Sequence, residues 1–237
     1  ALPVRAEQVV AALSQDRVAI STSFDGSEIL VYGAIKREAP APDVAPLAVI
    51  VTISGPFEPV TVRRKERRFG IWVNVDGAEV SSAPSFYAVA TTIPLARAMG
   101  DEEDRRWRIS PFLAVGGASA GERLRDFLVA LIRVREAAGS YVIAENTVSL
   151  QDETLFSTEI ALPSDLTEGN YDTRIFLTRG GEVVDSYSTS IFVRKVGMER
   201  WIYSLAHEQP LVYGLLSLFI AIAAGWGASA IFRVFQR

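Results

Sequence analysis

Gly117-Ala118-Ser119-Ala120-Gly121 has the G-x-S-x-G spacing of a nucleophile elbow, a sharp strand-to-helix turn that lifts a serine hydroxyl toward an acyl carbon. Such a serine needs a histidine to take its proton and an acid to orient that histidine. The chain has one histidine, His207, beside an apolar C-terminal run. The elbow also belongs to a train of alternating strands and helices, and that train is missing here. An ordinary helix start explains the same residues: Ser119 with Glu122 makes a capping box. A serine hydrolase using Ser119 is therefore the weakest function the residues offer. His207 has no neighbouring ligand set and reads as an interfacial polar residue. Cysteine is absent, so disulfides and Cys-based metal sites are excluded. No catalytic residue, metal site or cofactor is expected.

The strongest charge cluster is Arg63-Arg64-Lys65-Glu66-Arg67-Arg68. Arg63, Arg64, Lys65, Arg67 and Arg68 suit an anion, a lipid headgroup or an acidic partner face. As structure alone, they are the solvated end of a hairpin whose charges discourage edge pairing. The acidic counterpart, Asp101 to Arg108 (DEEDRRWR), lacks the spacing of an EF-hand and reads as a mobile charged loop. Net charge over 237 residues is −4, and −6 remains on residues 1–209 once Arg233 and Arg237 are set aside. That balance argues against nucleic acid as a partner.

The elements that must position these groups are mostly strands. Arg17–Ser21, Glu28–Ile35, Leu47–Ser54, Phe86–Ile93, Tyr141–Leu150, Leu155–Leu162, Tyr171–Leu177 and Val183–Val193 carry the β pattern, with turn signals every 8–12 residues. Leu47–Ser54 is nearly all apolar and β-branched, the mark of a strand covered on both faces. Val60–Arg64 and Phe69–Val75 form a predicted hairpin, followed by a turn at Asp76-Gly77. Residues 7–15 are a short apolar lead-in. Tyr171, opening a strand just after a turn, resembles the tyrosine corner of immunoglobulin-like sandwiches. Residues 119–138 form an amphipathic helix with Leu124, Phe127, Leu128, Leu131 and Ile132 on one face, stopped at Gly139. The expected fold is mainly β. It is an immunoglobulin-like β-sandwich over residues 1–196, with an insertion at about 94–139 that carries the helix. Two tandem small sandwiches are the alternative.

Leu211 to Phe232 is a run without a charge. At about 1.5 Å per residue it reaches roughly 33 Å, the thickness of a bilayer's hydrocarbon core. It reads as one transmembrane helix over 210–232, preceded by a juxtamembrane interfacial helix at 197–209 with Trp201 and Tyr203 as interface anchors. Ser217, Ala221, Gly225 and Ser229 recur every fourth residue, and Gly214 and Gly227 widen that face; small residues let helix backbones approach closely. The partner on this face is another copy or a polytopic protein. Arg233 and Arg237 put residues 233–237 in the cytoplasm and the β domain outside. The start at ALPVRAEQ reads as the product of signal-peptide removal, so the expected place is a bacterial inner membrane with the domain in the periplasm.

ALSQDRVAISTSFDGSEILVYGA, RRKERRFGIWVN, PSFYAVATT and KVGMERWIY…YGLLSLFIAIAAGWGASAIF together resemble a family of alphaproteobacterial transmembrane proteins of the Alph_Pro_TM type. The resemblance covers nearly the whole chain, with Gly70–Asn74 and Gly225–Gly227 its more specific parts. The family has no catalytic residues to carry over. It implies a companion of sulfite or sulfonate exporters of the TauE/SafE type. The expected function is then a non-enzymatic accessory subunit whose sandwich covers or gates a transporter's periplasmic face. The alternative is a stand-alone, membrane-anchored periplasmic module that binds or senses an anion.

Overall fold

The computed structural model describes residues 7–20, 26–37, 45–116, 122–195, 205–206 and 209–235. They fall into two compact units, a β-rich body and a C-terminal segment.

The body holds two main sheets. The smaller has the order β1-β3-β10-β9, from Glu7–Leu13, Ser27–Arg37, Leu155–Leu162 and Ser149–Gln151. The larger runs β2-β12-β11-β4-β7-β8, from Arg17–Ile20, Glu182–Lys195, Gly169–Arg179, Leu47–Ser54, Tyr87–Thr91 and Tyr141–Ala144. Strands from both ends of the body contribute to each sheet, as in one sandwich-like fold. Residues 7–13, the expected lead-in, are a full strand whose Val9 lies opposite Ile35 of β3.

β4 occupies the middle of the larger sheet, paired with β11 and β7, and all eight of its residues are buried. Side chains alternate across a strand, so both faces of this sheet must be covered. Ala48 and Ile50 join Tyr87, Val89 and Phe176 in a cluster with Leu128, Leu131, Ile109 and Met99 from the helical region. By alternation Val49, Val51 and Ile53 face the other way, toward the sandwich core that Ile29, Val31, Phe156 and Ile160 of the smaller sheet also fill.

The region from 94 to 139 is a crossover. α1 (Leu95–Ala98), α2 (Asp101–Trp107), α3 (Pro111–Ala114) and α4 (Glu122–Ala137) join β7 to β8, which pair in parallel with Tyr87 opposite Tyr141. Parallel neighbours need a long connection of this kind. It departs from the all-antiparallel immunoglobulin plan. DEEDRRW is helix α2 rather than a mobile loop. Its four acids fill the first turn, where the helix dipole favours negative charge. Glu103 accepts a bond from the Trp107 indole at 2.8 Å, and Asp104 accepts from the amides of Ile109 and Ser110 at 3.0 and 2.7 Å. α4 buries Phe127, Leu128 and Leu131, with Leu124 and Ile132 packed beside them, as the periodicity predicts. Gly139, at φ +73°, ends the helix, and the Ser140 amide reaches back to the Arg135 carbonyl at 2.9 Å. The capping box at Ser119 lies outside the described residues.

A two-stranded ribbon, β5 (Phe57–Arg68) with β6 (Ile71–Pro84), completes the body. An isolated hairpin is marginal in water, and this one is held at its base. There Val80 and Ala83 are buried and Val60 and Val62 pack on the helical cluster. The turn is Phe69-Gly70, both at positive φ, as two-residue hairpin turns require. Asp76-Gly77 is not a turn. It lies inside β6, near a register shift between Arg64 and Lys65.

Tyr171 opens β11 fully buried, and its hydroxyl donates to the Thr167 carbonyl at 2.9 Å. Its ring lies 6.1 Å from that of Phe86. Removing only the hydroxyl in Tyr171→Phe leaves that carbonyl without its partner, and thermal unfolding should show a loss of about 1 kcal/mol.

In the C-terminal unit, α5 runs Pro210–Phe235, and its side chains from Pro210 to Trp226 are all exposed. Among the described residues no helix is long and apolar enough to cross a membrane. The side chains of α5 are described only as far as Trp226, short of the ~20 residues a crossing takes.

Candidate functional site

The basic run lies on the outer half of β5, and α4 packs beside it. Two ion pairs fix the arrangement. Arg135 donates to Glu58 at 2.9 Å near the base of the ribbon, and Arg123 donates to Asp76 at 2.5 Å further out. The Asp76 carboxyl is held below the usual range by the hydrogen bond from Arg123, helped by the Gly77 amide. Both charges of the outer pair contact solvent, so screening leaves it little weight in stability.

Between ribbon and helix lies a groove of about 370 Å³. Arg63, Arg64 and Lys65 line it from β5, and Arg123 and Arg133 from α4. Asp76 and Asp126 are its acids, and Val62, Phe127, Ala130 and Val134 its apolar wall. Five cations against two acids on an open groove attract a small anion or an acidic side chain. The five basic residues singled out in the sequence do not all meet here. Arg67 and Arg68 lie further along β5, next to the turn.

A second cavity, about 300 Å³, lies against the larger sheet near α2 and includes Tyr87, Trp107, Arg108, Asp172 and Arg174. Arg174 and Tyr87 are committed to structure there. Arg174 donates to the Trp107 carbonyl at 2.9 Å and lies 5.3 Å above the Phe176 ring. The Tyr87 hydroxyl donates to the Ile109 carbonyl at 2.6 Å. Burial pushes the pKa of that hydroxyl well above the ordinary tyrosine range, so it stays a protonated donor. Among the described residues no group of His, Cys, Asp or Glu is placed to hold a metal ion.

One polar cluster had no sequence signal. Glu7 on β1 accepts from Arg37 at 2.8 Å and from Arg179 at 2.9 Å, while Glu153 approaches the same arginines at 3.1 and 3.5 Å. Arg179 also donates to the Ala45 carbonyl. Glu7 is 5 % exposed and Arg179 9 %. The cluster ties β1 of one sheet to β11 of the other, and the Val9 amide adds a bond to Asp185 of β12 at 2.8 Å. Burial alone would raise the Glu7 pKa, but the hydrogen bonds and charges of Arg179 and Arg37 outweigh it and hold the carboxyl below its usual range. Reciprocally, the bond from Arg179 to Glu7 raises the arginine's pKa. The partners lie 172 residues apart in sequence, and no spacing rule connects them.

On α5 the backbone carries the small-residue face. Ser217 donates to the Gly214 carbonyl at 2.9 Å, so its hydroxyl is satisfied within the helix. A Cβ added at Gly214 or Gly225 would meet nothing within 4 Å. Ala221 is exposed. Gly227 and Ser229 lie on the same helix, beyond the described side chains. Trp201, Tyr203, His207 and residues 117–121 with Ser119 lie outside the described residues.

The fold and the site define a mainly β, sandwich-like body that presents a basic ribbon and is followed by an apolar helix. The chain belongs to the family described as "Putative transmembrane protein (Alph_Pro_TM)", which matches residues 8–234. No curated protein matches it. Among solved structures it is similar to the sporulation control protein Spo0M of Bacillus subtilis, at 14 % identity and a TM-score of 0.29. That match covers 80 % of this chain and 49 % of the other, so the chain spans about half of that protein's length.

Proposed function

We propose that the protein is a non-enzymatic, single-pass accessory subunit of a polytopic membrane transporter, a sulfite or organosulfonate exporter of the TauE/SafE type. In this reading α5 crosses the inner membrane and residues 233–237 are cytoplasmic. The β body lies in the periplasm and covers or gates the transporter's outer face.

The observation that carries the reading is the surface of α5. Leu211, Leu215, Leu218, Phe219, Ile220, Ile222 and Trp226 are all well exposed. Apolar surface on that scale needs a bilayer or another chain to cover it. The run continues uncharged in sequence to Phe232, which brings it to bilayer length. Membership of a family described as transmembrane supports the same reading. A helix serving only as an anchor has no need of small residues at every fourth position; one that docks on other helices does.

Purification of the full chain from mild detergent tests this. The expected result is a stoichiometric polytopic transporter in the same peak, identified by mass spectrometry. A chain that runs alone or as a simple homodimer contradicts it.

The groove between β5 and α4 favours a second reading, a membrane-anchored periplasmic module that binds or senses an anion. It predicts heat on titration of the purified full chain with sulfite or a small sulfonate, lost in Arg63→Gln with Arg133→Gln.

A further inference from the structure

The outer end of the β5–β6 ribbon is unexplained by either reading. Phe69 is fully exposed, and Ile71 and Trp72 follow at 64 % and 69 % exposure. Phe69 also sits at φ +51°. A bulky side chain is disfavoured there, and Asn, Asp or Gly would close the turn at less cost. With its side chain fully exposed, Phe69 gains no packing among the described residues in return. Strain kept without a structural return points to a contact outside the chain.

The charges behind the tip indicate its kind. Arg68 lies opposite Ile71 and Arg67 opposite Trp72, so each of these cations stands level with an apolar residue, with Phe69 ahead of them in the turn and Lys65 behind. Arg64 and Arg68 both approach Glu66, at 3.7 and 3.5 Å, which places these three on one face of the ribbon. Lys65 and Arg67 then fall on the other face. A flat acidic partner would meet one face. Cations on both faces around an apolar end suit a medium that surrounds the ribbon, apolar at depth and anionic above. A bilayer's headgroup layer, roughly 5–8 Å deep over its hydrocarbon, is such a medium. Aromatic rings settle at that boundary, and Lys and Arg are drawn to anionic headgroups.

We infer that the Phe69–Trp72 tip dips into an anionic phospholipid surface, with Lys65 in the headgroup layer and Arg67 and Arg68 reaching back to it along their aliphatic stems, as a membrane contact separate from α5. The inference rests on the reading that the chain resides at a membrane, but it needs no transporter.

The absence of native cysteine makes the test direct. In the full chain, Ile71→Cys carries an environment-sensitive fluorophore, with Phe69 and Trp72 kept. Glu159→Cys, exposed on β10, serves as the control site. Each protein is reconstituted in phosphatidylcholine vesicles with and without phosphatidylglycerol, and with lipids bearing a nitroxide near the headgroup end of the acyl chain. The expected result is strong quenching at position 71 in the anionic vesicles, weak quenching in the neutral ones, and none at position 159. Each cation removed among Lys65→Gln, Arg67→Gln and Arg68→Gln should lower the docked fraction's ratio to undocked about five-fold, and salt should do the same. Protein that floats with the vesicles while position 71 stays unquenched overturns the inference and leaves the anchor reading standing, with a protein contact then the better account of the tip. Protein that fails to float overturns both. Equal quenching in both lipids, unmoved by the glutamines, overturns the anionic recognition.

Discussion

Arg179→Met should lower the stability of the β body by about 3 kcal/mol, the low end for removing one partner of a buried ion pair. The low end applies because Glu153 is 41 % exposed and keeps one side of the cluster wet. For a body of this size that corresponds to a fall in Tm of roughly 6–12 °C. Most of the loss comes from Glu7, which stays buried with Arg37 as its remaining cation among the described residues. The double variant Glu7→Gln with Arg179→Met should therefore be more stable than Arg179→Met alone, a non-additivity expected of residues in one network. The pH dependence follows from the same cluster. The Glu7 pKa is depressed in the folded state, so its contribution is complete above the unfolded value near 4.5 and is lost as pH falls through the lower folded value. Without Arg179 the depression shrinks. The difference in Tm between pH 7 and pH 3, measured by circular dichroism, should be smaller in Arg179→Met than in the wild type.

Ala221→Leu with Gly225→Leu should abolish copurification of the transporter and leave the β body's melting unchanged. The two positions sit one helical turn apart, and a leucine at each holds a facing helix away by several ångströms. Overpacking two close-contact positions costs about 3 kcal/mol or more. That weakens association at least a hundredfold, since 1.4 kcal/mol is tenfold. Among the described residues nothing lies within 4 Å of a Cβ added at Gly225. Loss of the partner with an unchanged body therefore isolates the helix face. Survival of the complex would remove that face from the account.

What could be read from the sequence was what local patterns encode. The unbroken apolar, β-branched run at Leu47–Ser54 announced a strand buried on both faces, and β4 is one. The 3.6-residue period of Leu124, Phe127, Leu128 and Leu131 gave α4 its inner face. Tyr171 after a turn gave the bond to Thr167. Features set by distant pairing were not legible. The parallel match of β7 to β8 brings Tyr87 beside Tyr141 across the whole helical crossover. Glu7 finds Arg179 only after both sheets have formed. Two local signals misled. Asp76-Gly77 is a strong turn pair, yet the chain turns at Phe69-Gly70, where a phenylalanine accepts positive φ. DEEDRRWR looked too charged for order, but its acids sit at a helix N-terminus and Glu103 and Asp104 are bonded to neighbours. The basic run was visible as a charge cluster. Its division between a groove beside α4 and a tip beyond it depended on the ribbon's length and on where it turns.

Photo-crosslinking in intact membranes tests the central claim most directly. A photoreactive amino acid is placed in α5 at Ser217, Ala221 or Gly225, and at Phe219 or Ile222 for comparison. The account predicts crosslinks from the first three positions to a polytopic transporter, and from the other two chiefly to lipid. Crosslinks from all five to lipid alone, or only to a second copy of the chain, would contradict it.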